Sequence, residues 1–568
     1  MATYYWVGGA GTWDASTTTN WASSSGGSGG AGFPTSADNV VFDASSGSTY
    51  TVTIVTGAVC NDLTATGTVG ATLSLGVSQQ LDVYGSLSFP ATGLTWSGGS
   101  GSSVFFTATT TGKTVTTNGV SFGVSGNTSA RFDGVGGGWT LGSALTSNNV
   151  TVANGSFDTG NFNVTVASSF SSSATTTRSV SLGSSTITCQ GTTAWTFTTT
   201  TNLTFNAGTS QINCSATSPV FSGGGLTYYN VSFTSAGSGT TTVNGANTYN
   251  NLSQTSRSGT GVRAVIFGAN QTVSGTLTLG AANTAIRRVR ALSSTLGVQR
   301  TITLNGTLAT LADVDFRDIV AAGTAGTWTG TRIGNALNNS GITFTAAKTV
   351  YWNLAGTLNW SSTGWATTNN GTPASNNFPL PQDTATFTEA GAAGTVTFDS
   401  GWWVGSVQMA DGVSNRTTAF TLATSALSPA FYGNMTLFSN LVLTGTGTVD
   451  FAGQGLTQTV TSAGVTFTQP ISIAVANGGT FKIADSFTQT ATAGVTHVAG
   501  TVDLNNQTLT CYLWSSSNSN TRSIAFGTGK IAVTGNAATV LSMSTATNFT
   551  YTGTSKIEFT YSGSTGTR

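Results

Sequence analysis

Short runs in which apolar residues alternate with Thr or Ser recur along almost the whole chain, and they leave few folds open. Thr51–Val55 (TVTIV), Leu81–Phe89 (LDVYGSLSF), Val150–Val152, Val164–Val166, Leu277–Leu279 and Ile302–Leu304 are examples. A period of two puts the apolar side chains on one face, the mark of a half-buried strand. The runs come roughly every 10 to 25 residues, with Gly or Asn at the breaks. No segment sustains a 3.6-residue apolar stripe, and good helix formers such as Glu and Lys are scarce. A sandwich closes after about seven to nine strands, whereas here the strands continue over 568 residues. Such a chain must bury each coil on its neighbours, as a solenoid does. The expected fold is all-β: a β-solenoid, right-handed and parallel β-helix-like, with very little helix. At roughly 20 to 25 residues per coil it would form a rod of about 110–140 Å. Asn230, Asn250 and Asn251 are placed to form side-chain ladders between coils.

A second pattern divides the chain. Residues 5–42 hold YWVGGAGTW, Asn20-Trp21 and FPTSADNVVF, and residues 351–387 hold YWNLAGTLNW, Gly364-Trp365 and FPLPQDTATF. Trp6 answers Trp352, Pro34 answers Pro379, Asp38 answers Asp383 and Phe42 answers Phe387, at an offset of 345 or 346. Further pairs keep nearly the same offset, including TVTTNGVSF at 114–122 with TVTSAGVTF at 459–467, and TRSVSLG at 177–183 with TRSIAFG at 521–527. The expectation is a tandem duplication: one solenoid unit over 1–345 and a second over 346–568. The second unit has no counterpart for the last third of the first, so the chain is expected to be cut short, with only the polar tail SGSTGTR at 562–568.

Composition excludes several classes of function. Charged residues make up 6% of the chain, and 18 basic residues balance 18 acidic ones. A neutral surface gives no electrostatic reason to bind nucleic acid or an anionic membrane. Thirty Phe and 13 Trp supply an aromatic core, so the chain is not a disordered linker. MATYYWVGG lacks the basic and apolar regions of a secretory signal, and no stretch approaches 18 uninterrupted apolar residues. The location expected is a virion or the extracellular space, with no membrane insertion. Cys60, Cys189, Cys214 and Cys511 read as small buried hydrophobes, with a bridge between Cys189 and Cys214 as a lesser option.

Chemistry has little to work with. His497 is the single histidine, which leaves no histidine-based triad or metal site, and it reads as a strand residue. The glycine runs Gly134-Gly136-Gly137-Gly138 and Gly223-Gly224-Gly225 lack the lysine of a P-loop and read as turns. No cofactor is expected. One acidic cluster, Asp313, Asp315 and Asp318 in ADVDFRDI, follows the basic cluster Arg287, Arg288, Arg290 and Arg300. Asp313 and Asp315 would share one face of a strand, the arrangement a glycosidase needs. The alternatives are a solvated or capping network between adjacent coils and a passive anion or Ca²⁺ site. Trp6, Trp13 and Trp21, with Trp352, Trp360 and Trp365, have two readings as well: sugar stacking on an exposed face, or closure of each solenoid's open end.

The strings YYWVGGAGTWD, TNW and FPTSADNVVFD, FSGGGLTYYNVSF at 221–233 and DVDFRDI resemble repeat-built β-helical virion proteins of tailed bacteriophages, which are fibre or appendage proteins. The Trp-Gly block is also similar to repeats of bacterial autotransporter passengers, but the chain lacks their export signal and membrane-barrel pattern. The resemblance implies a structural or adhesive, non-enzymatic fibre that meets other virion proteins, copies of itself or host surface glycan. Two alternatives are a tailspike-like polysaccharide-degrading enzyme and a secreted β-helical adhesin.

Overall fold

A computed structural model describes residues 1–123, 127–280, 284–389, 391, 394–409, 416–554 and 556–561; the tail at 562–568 lies outside them. The chain is an all-β solenoid of about 22 turns. Its logic is plain between residues 138 and 196. Strands Gly138–Leu141, Leu145–Ser147 and Val150–Val152 are followed by Gly155–Asp158, Val164–Val166 and Phe170–Ser171, then by Arg178–Ser181, Thr186–Cys189 and Trp195–Thr196. Each trio places one strand in the 10-stranded, the 11-stranded and the 13-stranded sheet. Successive coils pair in parallel and in register, as Val164 with Ile187 and Ile187 with Ile212. The step per coil varies, for example 18 residues from Gly138 to Ser156 and 31 from Gln271 to Ile302.

The period of two sorts the side chains. Val164 and Val166 are buried while Thr165 between them is half-buried. Inward positions of neighbouring coils lie opposite one another, so aromatic residues stack along the axis. Phe170 faces Trp195 at 4.9 Å between ring centroids and 20° between planes, and Trp195 faces Phe221 at 6.0 Å and 12°. Such offset stacks add about 0.5–1.5 kcal/mol each beyond the area they bury. Outward, Asn251 Nδ2 donates to Asn230 Oδ1 at 2.8 Å across one rung, and Thr276 N donates to Asn251 Oδ1 at 2.6 Å across the next. The asparagine ladder is therefore present.

LDVYGSLSF, read as one run, is two strands, Gln80–Val83 and Leu87–Ser88. The corner falls at Gly85, where a Cβ would stand 2.1 Å from Asp62 Oδ1 of the previous coil. Alternation alone cannot locate a corner, because apolar residues continue inward on both sides of it.

Strands before residue 336 pair only among themselves, and strands from Thr349 onward do the same, among the described residues. Each set encloses its own aromatic core. A single straight rod is not what forms. Outward side chains Val262 and Ile286 pack on the second core, and Ala264, Ile266 and Leu292 meet Trp403, Ala430, Tyr432 and Ala452. The second stack thus lies against the flank of the first, and the length expected for one continuous pile of coils does not apply.

Candidate functional site: the buried charge cluster and the tryptophan blocks

The acidic and basic clusters do meet, on the flank where the two stacks touch. Strand Arg287–Ser293 pairs with strand Val314–Arg317, placing Arg290 opposite Asp315. Val289 and Phe316 point into the first core, so Arg288, Arg290, Asp315 and Arg317 point outward, toward the second stack. Arg288 grips Asp315 through two bonds, Nε to Oδ2 at 2.8 Å and Nη2 to Oδ1 at 2.6 Å. Arg332 grips Asp313 likewise, at 2.6 and 2.9 Å, and Arg288 Nη1 lies 3.6 Å from the same carboxylate. Gly334 sits opposite Asp315, and a Cβ there would be 1.9 Å from Asp315 Oδ1 and 2.7 Å from Pro381 Cδ. Only glycine lets the carboxylate and the second stack close on one another.

The reading of Asp313 and Asp315 as neighbours on one strand face needs correction. Asp313 precedes the strand in a left-handed conformation, φ +61°, and Asp318 follows it at φ +59°. Asp tolerates that region better than most residues do. The reading as a solvated network also fails, since Asp313, Asp315 and Asp318 are 0–1% exposed. A hydrolytic pair needs one carboxyl poised to donate a proton and both open to the glycosidic bond. Here both carboxylates are sealed from solvent, and each is held by a guanidinium through two hydrogen bonds. Asp318 differs: burial raises its pKa, against bonds from Asn338 Nδ2 at 2.7 Å and Gly297 N at 3.2 Å, with Gln454 Nε2 of the second stack at 3.5 Å.

Around this core the second stack adds its own groups. Arg290 lies 4.3 Å over the Trp403 ring and donates to the Gly401 carbonyl, while Arg317 lies 5.4 Å from the same ring. Burial lowers the Arg290 pKa to about 10, which still leaves it charged near neutrality. Burial opposes charge on Arg288 too, but Asp315 and Asp313 outweigh it and raise its pKa. Burial raises the pKa of Tyr432, to about 12, and that of Asp450. Sequence reasoning missed Trp403, Tyr432, Asp450 and Gln454. One signal was there. In an alternating strand, two consecutive tryptophans cannot both point inward, so Trp402-Trp403 demanded an outward partner. Trp402 packs inside on Phe378 at 4.8 Å, and Trp403 meets Arg290.

The six tryptophans of the repeated blocks are all 0–1% exposed. No indole face is open to a sugar, so the stacking reading is overturned. The closing role agrees with their placement. Trp21–Ala22 is an antiparallel strand at the end of the 10-stranded sheet, with Trp21 opposite Trp6. Trp365–Ala366 ends the 16-stranded sheet in the same way, with Trp365 opposite Trp352. Ring centroids are 4.9 Å apart in the first pair and 5.1 Å in the second. Trp6 Nε1 donates to Gly9 O and Trp352 Nε1 to Leu354 O, both at 2.7 Å. Reversing one strand turns the chain back over the apolar opening, which the indoles fill. Asp38 accepts from Ala2 N at 2.8 Å and Asp383 from Lys348 N at 3.0 Å, each fixing the strand that carries the first tryptophan of its block.

His497 is a fully buried strand residue. Its Nε2 lies 2.9 Å from Gly500 O and its Nδ1 3.3 Å from Ser516 Oγ. The strand bulges beside it, since Ile473 pairs with His497 but Ala474 pairs with Ala499. Cys189 and Cys214 stand directly opposite on adjacent rungs as free, buried thiols, and burial pushes Cys189 to about 12. Residues 135–136 and 224–225 are turns. Among the described residues, no group of three or more His, Cys, Asp and Glu is placed to hold a metal ion, and no helix is long and apolar enough to cross a membrane. Compared with protein families, curated proteins and solved structures, the chain matches none.

Proposed function

We propose that the chain is a structural, fibre-like component of a phage particle, without catalysis, that meets other virion proteins, copies of itself or host surface glycan. The observation that carries the non-catalytic part is the fate of the acidic cluster. The Asp313 and Asp315 carboxylates, which the sequence offers as candidates for chemistry, are buried and paired with Arg332 and Arg288 beside the contact between the two stacks. A neutral outer face of Thr, Ser and Asn on a stack of parallel coils suits an extended surface exposed to solvent. The assignment to a phage, rather than to a secreted adhesin, rests on the resemblance of the Trp-Gly blocks and of DVDFRDI alone. Two measurements test it. Peptides of this chain are expected in mass spectra of purified particles from the source culture. Envelope polysaccharide incubated with the chain is expected to release no new reducing ends. Release that disappears in Asp315→Asn with the fold intact would favour the tailspike-like enzyme.

A further inference from the structure

The matched strings TRSVSLG and TRSIAFG each carry an arginine that meets no acid. Arg178 begins strand Arg178–Ser181 of the first stack and Arg522 begins strand Arg522–Ala525 of the second, and they are 2% and 1% exposed. Neither forms an ion pair among the described residues. A guanidinium has five N–H donors, and both side chains direct all five at oxygen. Arg178 Nε donates to Ser172 Oγ at 2.8 Å, and Nη1 to Thr176 O and Thr201 O, both at 3.0 Å. Its Nη2 donates to Ser172 O at 3.1 Å and to Thr199 O at 2.5 Å. Arg522 Nε donates to Asn520 O at 3.1 Å, and Nη1 to Ser516 O and Ser516 Oγ. Its Nη2 donates to Thr545 O at 2.9 Å and to Thr547 O at 3.1 Å.

The oxygens come from the same corner of two successive coils, outside the strands: 172–176 and 199–201 in the first stack, 516–520 and 545–547 in the second. Each guanidinium thus ties one coil to the next where no sheet does. No main-chain N–H donates to any of these carbonyls among the described residues. The setting repeats as well. Asn202, at φ +56°, donates from Nδ2 to Thr175 O, and Asn548, at φ +57°, to Ser519 O, both at 2.9 Å. Thr198 N donates to Ser173 Oγ and Ser544 N to Ser517 Oγ, again both at 2.9 Å. Carbonyl dipoles converging on one point repel one another, and a carbonyl shut from water without a donor is costly. A corner of this shape needs a cation that offers a donor to each oxygen.

We propose that this corner is a cation site built into each stack, selective for a planar guanidinium, and that Arg178 and Arg522 fill it as tethered ligands. Recognition lies in the ring of oxygens rather than in the tether. A chain truncated at either arginine would therefore take up a free cation of the guanidinium class in its place. A lysine ammonium brings the same charge as a compact point with three donors, and cannot reproduce the planar five-donor fork. The two corners act as latches between coils, and they stay charged at any pH at which the chain is folded, because a guanidinium does not give up its proton in water. The inference does not depend on the chain being a virion component.

The test uses the whole chain carrying Arg178→Ala or Arg522→Ala, with urea as denaturant and methylguanidinium as the probe. Each variant is expected to unfold at lower urea than the parent chain. Methylguanidinium at about 10 mM is expected to recover part of that loss saturably, as a ligand held by the folded form does. Methylammonium at the same concentration is expected to recover none, and the parent chain, its sites filled, to gain nothing from either. No recovery, or equal recovery with methylammonium, would overturn the proposal. If the alanine variants fail to fold, Arg178→Lys and Arg522→Lys decide the matter by hydrogen exchange. The amides of Thr198 and Leu203 in the first, and of Ser544 and Phe549 in the second, should exchange about tenfold faster or more, as the loss of one bond to a charged group requires. Exchange at the corners equal to that of the parent chain would show that charge alone suffices, and would overturn the proposal.

Discussion

Arg290, from the flank of the first stack, lies 4.3 Å over the ring of Trp403, from the flank of the second. Trp403 is buried and Arg290 half-buried, and a partly desolvated cation–π contact of this kind is worth up to about 2 kcal/mol. The pair joins two bodies whose sheets share no rung among the described residues, so it reports on how firmly they are held together.

Arg290→Ala is expected to weaken the contact between stacks by about 2 kcal/mol, and Trp403→Ala by about 3–5 kcal/mol because it also leaves a cavity. Neither strand forms part of the other stack's core, so the β signal in circular dichroism should persist. Small-angle scattering should show a larger maximum dimension in Trp403→Ala. An unchanged scattering profile in both variants would mean that the flank contact does not hold the stacks together.

Asp315→Asn leaves Arg288 buried with its main counter-charge gone, and a cost of about 3–5 kcal/mol is expected. The double change Arg288→Met with Asp315→Leu removes both charges and should recover most of that loss. Urea denaturation of the three variants beside the parent chain gives the comparison. A double variant as unstable as Asp315→Asn would argue that the pair is needed for more than mutual neutralisation.

Trp21→Ala should cost about 3–5 kcal/mol, and Trp21→Phe distinctly less, since the ring fills the opening at the end of the first stack. Hydrogen exchange should locate the loss in the first coils, with the coils near residue 200 still protected. Uniform loss along the stack would contradict a local closing role.

These expectations also show what alternation could and could not reveal. Val164-Thr165-Val166 declares its buried face without help, and so does the parallel stack that such runs must build. The in-register meeting of Cys189 with Cys214, and of Asn230 with Asn251, follows from coil length. What stayed hidden lies outside the coils. A strand's outward face carries no period of its own, so nothing in RRVRALS says that Arg290 faces a tryptophan more than one hundred residues away rather than water. Charge was read as exposure, and here it is the glue of a buried contact. The tryptophans left two readings open. A ring fit to stack on sugar is equally fit to close an apolar end, and only its exposure separates the two.

Burial holds the imidazole of His497 at about 4, below the 6.5 of a free imidazole. A group whose pKa is depressed on folding stabilises the fold fully above its unfolded value and loses that contribution as the pH falls toward the folded value. About 3 kcal/mol should therefore disappear between pH 6.5 and pH 4, at roughly 1.4 kcal/mol per pH unit. Asp318, Asp383 and Asp450, whose pKa values burial raises, act in the opposite direction over acidic pH. His497→Gln isolates the imidazole, and its denaturation midpoint should fall less steeply than that of the parent chain below pH 6.5. Parallel curves would show that the imidazole does not titrate as the burial requires.

Because the strands of each stack pair coil upon coil, their hydrogen bonds lie along its length. Tension applied from end to end would load those rungs one after another, in series, and the thinnest rung would set the strength of the whole. The two-residue pairings, such as Phe170-Ser171 on Trp195-Thr196, are where such a stack should part first. The seven-residue pairing of Gly261–Phe267 on Arg287–Ser293 lies beneath the flank contact. Tension reaching that region would meet the most firmly laced coils of the first stack and a second stack braced alongside them, so failure should begin away from the junction and leave the two stacks joined.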